Sequence, residues 1–317
     1  MVEDGTKLMR WFMRKFPAMP NRDFYKLCRG GQIRVNSARV DSNRVLRAGD
    51  VVRIPPTIAV YAKKENAKKT ETGSVFSLSD LEMLRKTIVY NDQDIVVFNK
   101  PAGLAVQGGT GIRKSVDKMA AALFPYDKIS LVHRLDRDTS GLLVVAKNQK
   151  AAQVLANAFQ SKTAHKEYLA LLNGTVPQKQ GVIDNYIVKG QVFDSPERIN
   201  GGTGQKPQRA ITEYKVLSDA TDCVSWVLFL PKTGRTHQLR IHSAYSLNAP
   251  IVGDDLYGLD KKIDAGLSTI LATNKLFLFA YRITFYHPRT NKLITLRATV
   301  PDFMKSVMNF LEFQLPE

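Results

Sequence analysis

The chain has 317 residues and a formal net charge of +17, with 46 Lys and Arg against 29 Asp and Glu. An apolar content of 44% excludes wholesale disorder, and this length suffices for roughly two domains with a substantial core. No apolar run approaches the roughly 20 residues of a membrane span, no secretory signal is visible, and two distant cysteines exclude a disulfide framework. These features are typical of an intracellular protein that binds polyanions.

Positive charge is concentrated in the first sixth of the chain. Residues 1–55 hold twelve Lys and Arg against five Asp and Glu, which gives this segment a net charge of +7. Its nine arginines are spread along the segment and form no single block, which indicates a folded basic surface that binds nucleic acid. A solvated surface without a ligand is the alternative interpretation.

The same segment contains the pattern of a small α+β module. Apolar residues at helical spacing predict a helix over residues 7–16, and Asn21 is a candidate cap for a second helix that ends before Gly30. Alternating apolar and polar residues at 33–36 and 51–54 predict two short strands. The letters GQIRVN and AGDVV, which include these strands, resemble the RNA-binding module of S-four type.

This resemblance implies an RNA-binding module over residues 1–57. Residues 58–80 are polar and charged without an apolar period, so we predict a linker there, with Ser79 capping a helix that reaches Lys86. Residues 81–317 then form a second domain.

Helices and strands do not alternate regularly in the second domain, which favours an α+β fold over a doubly wound sheet. A helix is predicted over 150–162, with Val154 in its apolar stripe. Strands are predicted at 95–98, 142–146, 168–172, 225–230, 276–280 and 283–286.

The nine residues from His133 to Gly141 read HRLDRDTSG and come directly before a predicted buried strand. Two acids, two arginines, one histidine and two hydroxyl groups in so short a segment are typical of a functional site. A solvated loop with local ion pairs is an equally good interpretation of the composition alone.

The amino-acid sequence of this segment resembles motif two of the RluA-type pseudouridine synthases, which convert uridine in RNA to its C-glycoside isomer. Other motifs of that family follow in the expected order, and the N-terminal module favours the RluC-like branch, the synthases of the large ribosomal subunit. The resemblance implies an α+β catalytic domain with a mixed, largely antiparallel sheet and a central cleft. The matching segments are NKPAG at 99–103, KEYLA at 166–170, TGRTHQLRIH at 233–242 and PIVGDDLYG at 250–258.

The resemblance also implies catalytic roles for three residues. Asp136 matches the family's nucleophile, and a carboxylate can attack a sugar or ring carbon and leave again; whether it attacks C1′ or C6 stays open. Arg240 matches an arginine that pairs with this aspartate and so favours its ionised form. Tyr168 matches a tyrosine that stacks on the target base and is also a candidate general base. Because a phenol is a poor base at neutral pH, we expect the stacking role. Asp138, the other acid of the loop, is interpreted as structural.

Three further residues match substrate-binding positions. Arg134 is expected to fill the space left by the flipped base, and Leu239 to pack against the flipped uracil. Lys100 is a candidate for a phosphate contact, although a structural role in a Lys-Pro turn fits equally well.

The expected partner is RNA, in particular large-subunit ribosomal RNA, and the expected location is the cytoplasm or its organellar equivalent. The isomerisation needs no metal or cofactor, and no membrane association is expected. One alternative function is a non-catalytic RNA-binding factor of ribosome assembly. Another is a metal-dependent hydrolase that uses His133, His237 and His242.

Overall fold

The structure is a computed structural model of the chain. Two compact units, Met1–Val75 and Phe76–Glu317, make up the chain. None of the described helices is long and apolar enough to cross a bilayer. The structure describes residues 5–16, 19–58, 76–109, 111–188, 191–195, 207–220, 223–258, 271 and 274–316.

The first unit contains two helices and a three-stranded antiparallel sheet in which β1 lies between β2 and β3. Its core includes Leu8 and Phe12, which lie on one face of the first helix, as predicted. The Phe12 ring packs 5.3 Å from that of Phe24 in the second helix. The elements are α1 (Leu8–Lys15), α2 (Asn21–Arg29), β1 (Arg34–Val35), β2 (Ala38–Arg39), β3 (Val52–Arg53) and a 3-10 turn (Pro56–Ile58).

Two details of this unit differ from the sequence prediction. Asn21 is the first residue of α2, and Pro20 occupies the cap position. The strand β2 was not predicted, because a two-residue strand is too short to show an alternating pattern.

The second unit is built on one large sheet with helices packed against it. Its helices are α3 (Leu78–Lys86), α4 (Val116–Leu123), α5 (Gln149–Gln160), α6 (Gln238–Ile241) and α7 (Asp302–Phe310), and a π-helix (His242–Ser246) continues α6. Its strands are β4 (Ile88–Asn91), β5 (Ile95–Lys100), β6 (Ser130–Leu131), β7 (Ser140–Ala146), β8 (His165–Asn173), β9 (Gln180–Val188), β10 (Gln191–Phe193), β11 (Gln208–Ala220), β12 (Val224–Pro231), β13 (Leu278–Tyr286) and β14 (Leu293–Arg297).

The order in the sheet is β10-β9-β11-β12-β8-β13-β7-β5-β4, with β14 also pairing with β13 and β6 with β7. Among the described strands, β13 and β7 run parallel and all other pairs are antiparallel. Every residue of β7 is buried, which explains its continuous apolar sequence. The sheet is therefore mixed and largely antiparallel, as expected.

Three details of this unit differ from the prediction. Ser77, not Ser79, caps α3, and it forms a capping box with Asp80. The two strands predicted at 276–280 and 283–286 are one strand, β13, interrupted by a bulge between Ala280 and Arg282. Val154 is 40% exposed, so the apolar stripe of α5 is narrower than predicted.

Residues 59–75, most of the predicted linker 58–80, lie outside the described residues. Phe76 is 5% exposed and belongs to the core of the second unit, so ordered structure of that unit begins before residue 81.

Gly141 permits the parallel contact between β7 and β13. Its φ is +111°, and a Cβ at this position would lie 2.6 Å from the backbone nitrogen of Ala280. Ala280 also pairs with Tyr168 of β8, so β13 joins the strand that follows the HRLDRDTSG segment to the strand that carries Tyr168.

We expect Gly141→Ala to lower the free energy of unfolding by about 1–3 kcal/mol more than Gly111→Ala does, because the added methyl group overpacks the backbone of β13. Gly111 is the matched control: its φ is +80°, and no atom lies within 4 Å of its hypothetical Cβ. Urea unfolding of both variants measures the difference, and equal losses would contradict the prediction.

Candidate active site

Asp136 lies in the loop between β6 and β7, at the wall of a cavity of about 600 Å³. The loop turns tightly, because the backbone nitrogen of Thr139 donates to the carbonyl oxygen of Asp136 over 3.2 Å. The Asp136 side chain is 22% exposed, so its carboxylate is accessible from the cavity. Five of the six predicted site residues line this cavity: Arg134, Asp136, Tyr168, Leu239 and Arg240.

Tyr168 enters the cavity from β8 and is 9% exposed. Burial raises the pKa of its hydroxyl group, and the negative charge of Asp136 raises it further. A phenol with a raised pKa is an even weaker base than a free one. The position therefore favours the predicted stacking role over proton abstraction.

Arg240 lies on α6, and its guanidinium binds Asp254 through two bonds of 2.8 and 2.6 Å and Asp255 through one of 3.1 Å. The side chains of Arg240 and Asp254 are 4% and 0% exposed. Among the described residues, these two aspartates are its ion-pair partners, so the predicted direct pair with Asp136 is not formed. Burial disfavours the charge of Arg240, but the bonds to Asp254 and the charges of all three aspartates outweigh this effect and raise its pKa.

The other two lining residues differ in exposure. Arg134 is exposed at the cavity wall, where its side chain can extend into a nucleic acid. Leu239 is 7% exposed and gives the cavity an apolar surface. Asp138 pairs with its neighbour Arg137 over 3.2 Å, which agrees with its interpretation as a structural residue of the loop.

Lys100 does not line the cavity, so the prediction that it contacts phosphate is wrong. Its side chain is fully buried, and its amine donates over 2.9 Å to each of the carbonyl oxygens of Pro101, Leu104 and Arg137. Burial lowers the pKa of Lys100 to about 7, although the charges of Asp138 and Asp136 oppose this effect. Lys100 therefore ties the loop that carries Asp136 to the end of β5.

The structure does not support a metal site formed by His133, His237 and His242. His242 is fully buried, and its ring nitrogens contact Thr212 and Asn185 at 2.9 and 3.0 Å. Within the described part of the chain, one cluster of side chains has potential metal-ligand atoms within 4.8 Å of one another. This cluster contains none of the three histidines.

Sequence reasoning missed two contacts of the site. His237 has a left-handed φ of +54°, and its Nδ1 lies 3.0 Å from the Tyr257 hydroxyl group and its Nε2 4.0 Å from Asp136. Tyr257 also packs against Arg240, whose guanidinium carbon Cζ lies 5.3 Å from the centroid of the Tyr257 ring. The segment 250–258, which supplies Asp254 and Tyr257, matched the family pattern, but the pattern alone did not show which side chains they contact.

We expect Lys100→Met to lower the free energy of unfolding by at least about 2 kcal/mol, because buried carbonyl oxygens lose their donor. Lys292→Met is the control: Lys292 is exposed, and its loss should change stability by less than about 0.5 kcal/mol. Chemical denaturation measures both, and a Lys100→Met protein as stable as the control would contradict the anchoring role.

Comparison with known proteins identifies the family. The protein-family model described as RNA pseudouridylate synthase matches residues 94–245. This range includes Asp136, Tyr168 and Arg240. The solved structure of human RNA Pseudouridylate Synthase Domain Containing 4 superposes with a TM-score of 0.65 and 26% identity, over 75% of this chain and 97% of that one.

Relatives match nearly the whole chain and carry the name ribosomal large subunit pseudouridine synthase C. The relative from Vibrio vulnificus is 36% identical over 97% of this chain and 93% of its own length. The relative from Escherichia coli K12 is 35% identical over 98% of this chain and 94% of its own length. The chain therefore belongs to the RNA pseudouridylate synthase family and is an enzyme that converts uridine in RNA to pseudouridine.

Proposed function

We propose that the chain isomerises specific uridines of large-subunit ribosomal RNA, with Asp136 as the nucleophile. The observation that supports this best is the position of Asp136: an accessible carboxylate at the wall of a cavity that Tyr168 and Leu239 also line. The names of the similar bacterial relatives favour ribosomal RNA of the large subunit as the substrate.

The surroundings of Asp136 suit a carboxylate that attacks and then leaves. Its charge acts on Arg240, and Arg240 is held in place by two bonds to Asp254. A guanidinium fixed in this way stabilises negative charge near the reacting carbon without having to reorganise during the reaction. In this proposal, Arg240 acts on Asp136 through space rather than through a direct hydrogen bond.

The target uridine has to leave its RNA stack to reach the cavity, which costs a few kcal/mol. Tyr168 and Leu239 present an aromatic ring and an apolar surface on which the uracil can stack and pack. Arg134, exposed at the cavity wall, can fill the space that the base leaves, because a planar guanidinium stacks between bases and binds phosphate.

We assign RNA binding to residues 1–57 and catalysis to the second unit, which begins at Phe76 and so includes the end of the predicted linker 58–80. On α2, the exposed cations Arg22, Lys26 and Arg29 follow one another at helical spacing, so they share one face. Such a face binds phosphates and positions RNA without reading its sequence. We place the reaction in the cytoplasm, where bacteria make their ribosomal RNA.

We expect Asp136→Asn to slow pseudouridine formation on the order of 10⁴-fold or more, because an amide is no nucleophile, while RNA affinity stays within a few-fold. The measurement is carbodiimide modification and primer extension on a large-subunit RNA transcript, together with a binding titration. Asp138→Asn is the matched control, since it removes a carboxylate from the same loop and should retain activity. Product formed by the Asp136→Asn protein would exclude Asp136 as the nucleophile.

Neutralising Arg22, Lys26 and Arg29 together to Gln should weaken RNA binding and reduce its dependence on salt. Each lost phosphate contact removes roughly 0.7–0.9 from the slope of log affinity against log salt concentration. Deletion of residues 1–57 should reduce the slope at least as much. An unchanged slope in both variants would mean that this module does not contact RNA.

A further inference from the structure

The conversion of uridine to pseudouridine moves a proton as well as a sugar. In uridine, C5 carries hydrogen and N1 carries the ribose, whereas in pseudouridine C5 carries the ribose and N1 carries hydrogen. Cleavage of a C–H bond at neutral pH requires a general base close to the uracil. The identity of this base can be inferred from the side chains around Asp136, and it rests on the proposed role of Asp136 as the nucleophile.

Two titratable groups of the cavity are poorly suited to accept this proton. Tyr168 has a pKa raised by burial and by Asp136, so it stays protonated at neutral pH. His133 accepts a bond of 2.9 Å from the backbone nitrogen of Val144 at Nε2, so its Nδ1 carries hydrogen and neither nitrogen is free to accept a proton. Burial and the charge of Lys166 lower the pKa of His133 to about 3, which agrees with this assignment.

His237 has the geometry that the step requires. It lines the cavity with a side chain that is 25% exposed, and its Nε2 lies 4.0 Å from Oδ1 of Asp136. This distance is too long for a hydrogen bond, so neither group blocks the other. Imidazole side chains are the most frequent general acids and bases in enzymes.

The orientation of the His237 ring is fixed by its contact with Tyr257 and by the backbone conformation of His237. Its Nδ1 lies 3.0 Å from the Tyr257 hydroxyl group, and the two rings pack edge to face with centroids 5.8 Å apart. The backbone of His237 has a φ of +54°, a conformation that costs energy outside glycine, and it directly precedes α6. When Nδ1 donates its hydrogen to the Tyr257 oxygen, Nε2 is a free acceptor that faces the cavity.

We propose that His237 is the base that removes the C5 hydrogen of the rearranged uracil and the acid that returns a proton to N1. Once Asp136 has been released, C5 is bonded to C1′ and to hydrogen, and C6 is doubly bonded to N1. Nε2 takes the proton, and the C–H electron pair becomes the C5–C6 double bond. The π pair of the C6–N1 bond moves to N1, which takes a proton from the imidazolium, so His237 ends as it began.

The test is His237→Asn on RNA whose target uridine carries deuterium at C5. Asparagine tolerates positive φ better than most residues, and its amide accepts no proton at neutral pH. We expect RNA binding to be unchanged, product formation to slow on the order of 10²-fold, and a primary isotope effect larger than that of the wild type. Free imidazole added to His237→Gly should restore part of the activity.

A slower His237→Asn protein without a larger isotope effect would show that His237 only positions Asp136, and wild-type turnover would show that another group takes the proton. Either result overturns the inference. If His237→Asn does not bind RNA, Tyr257→Phe decides instead, because it keeps the imidazole but removes its partner and should also enlarge the isotope effect. Failure of Asp136 as nucleophile is recognised separately, by product formed in the Asp136→Asn protein.

Discussion

Gly141 and Ala280 bring the backbones of β7 and β13 so close together that no side chain fits between them. On its other edge, β13 pairs with β8, where Ala280 lies opposite Tyr168. The loop before β7 carries Asp136, so this triple contact sets the distance between the carboxylate and the aromatic ring. A wider spacing at Gly141 would separate the two walls of the cavity, even if every other residue stayed in place.

Buried cations then fix the loop and the helix on either side of the carboxylate. Lys100 holds the Asp136 loop by the carbonyl oxygen of Arg137, and Arg240 is held by Asp254. Desolvating such charges costs several kcal/mol per ion, and the bonds that each cation forms offset this cost. The two cations differ in what compensates them: carbonyl dipoles for Lys100 and a carboxylate for Arg240. Within the described residues, neither cation forms an ion pair with Asp136, so its carboxylate stays accessible to the substrate.

The sequence predicted five of the residues that line the cavity but not the contacts that they form. Asp136, Tyr168 and Leu239 belong to motifs whose wording is specific, and the structure brings them together. The partner of Arg240 could not be predicted, because the choice between Asp136 and Asp254 depends on ångström distances between a loop and a helix. The burial of Lys100 could not be predicted either, because a Lys-Pro pair has the same sequence at a surface and in a core. Long apolar strands such as β7 were predicted well, whereas β2 was too short to leave a pattern.

Uridine and pseudouridine are isomers, so every protein group that takes part must return to its starting state within one turnover. A nucleophile satisfies this condition only if it also leaves, and a base only if it gives up its proton again before the next turnover. Tight pairing would hinder both, because a carboxylate or imidazole engaged by a strong partner is stabilised in one state. At a separation of 4.0 Å, Asp136 and His237 do not hydrogen-bond to each other, so neither stabilises the other in one state. Lys100 and the pair of Arg240 with Asp254 have a different task. They hold the loop and the helix of the site in position, and their own bonds need not change during the reaction.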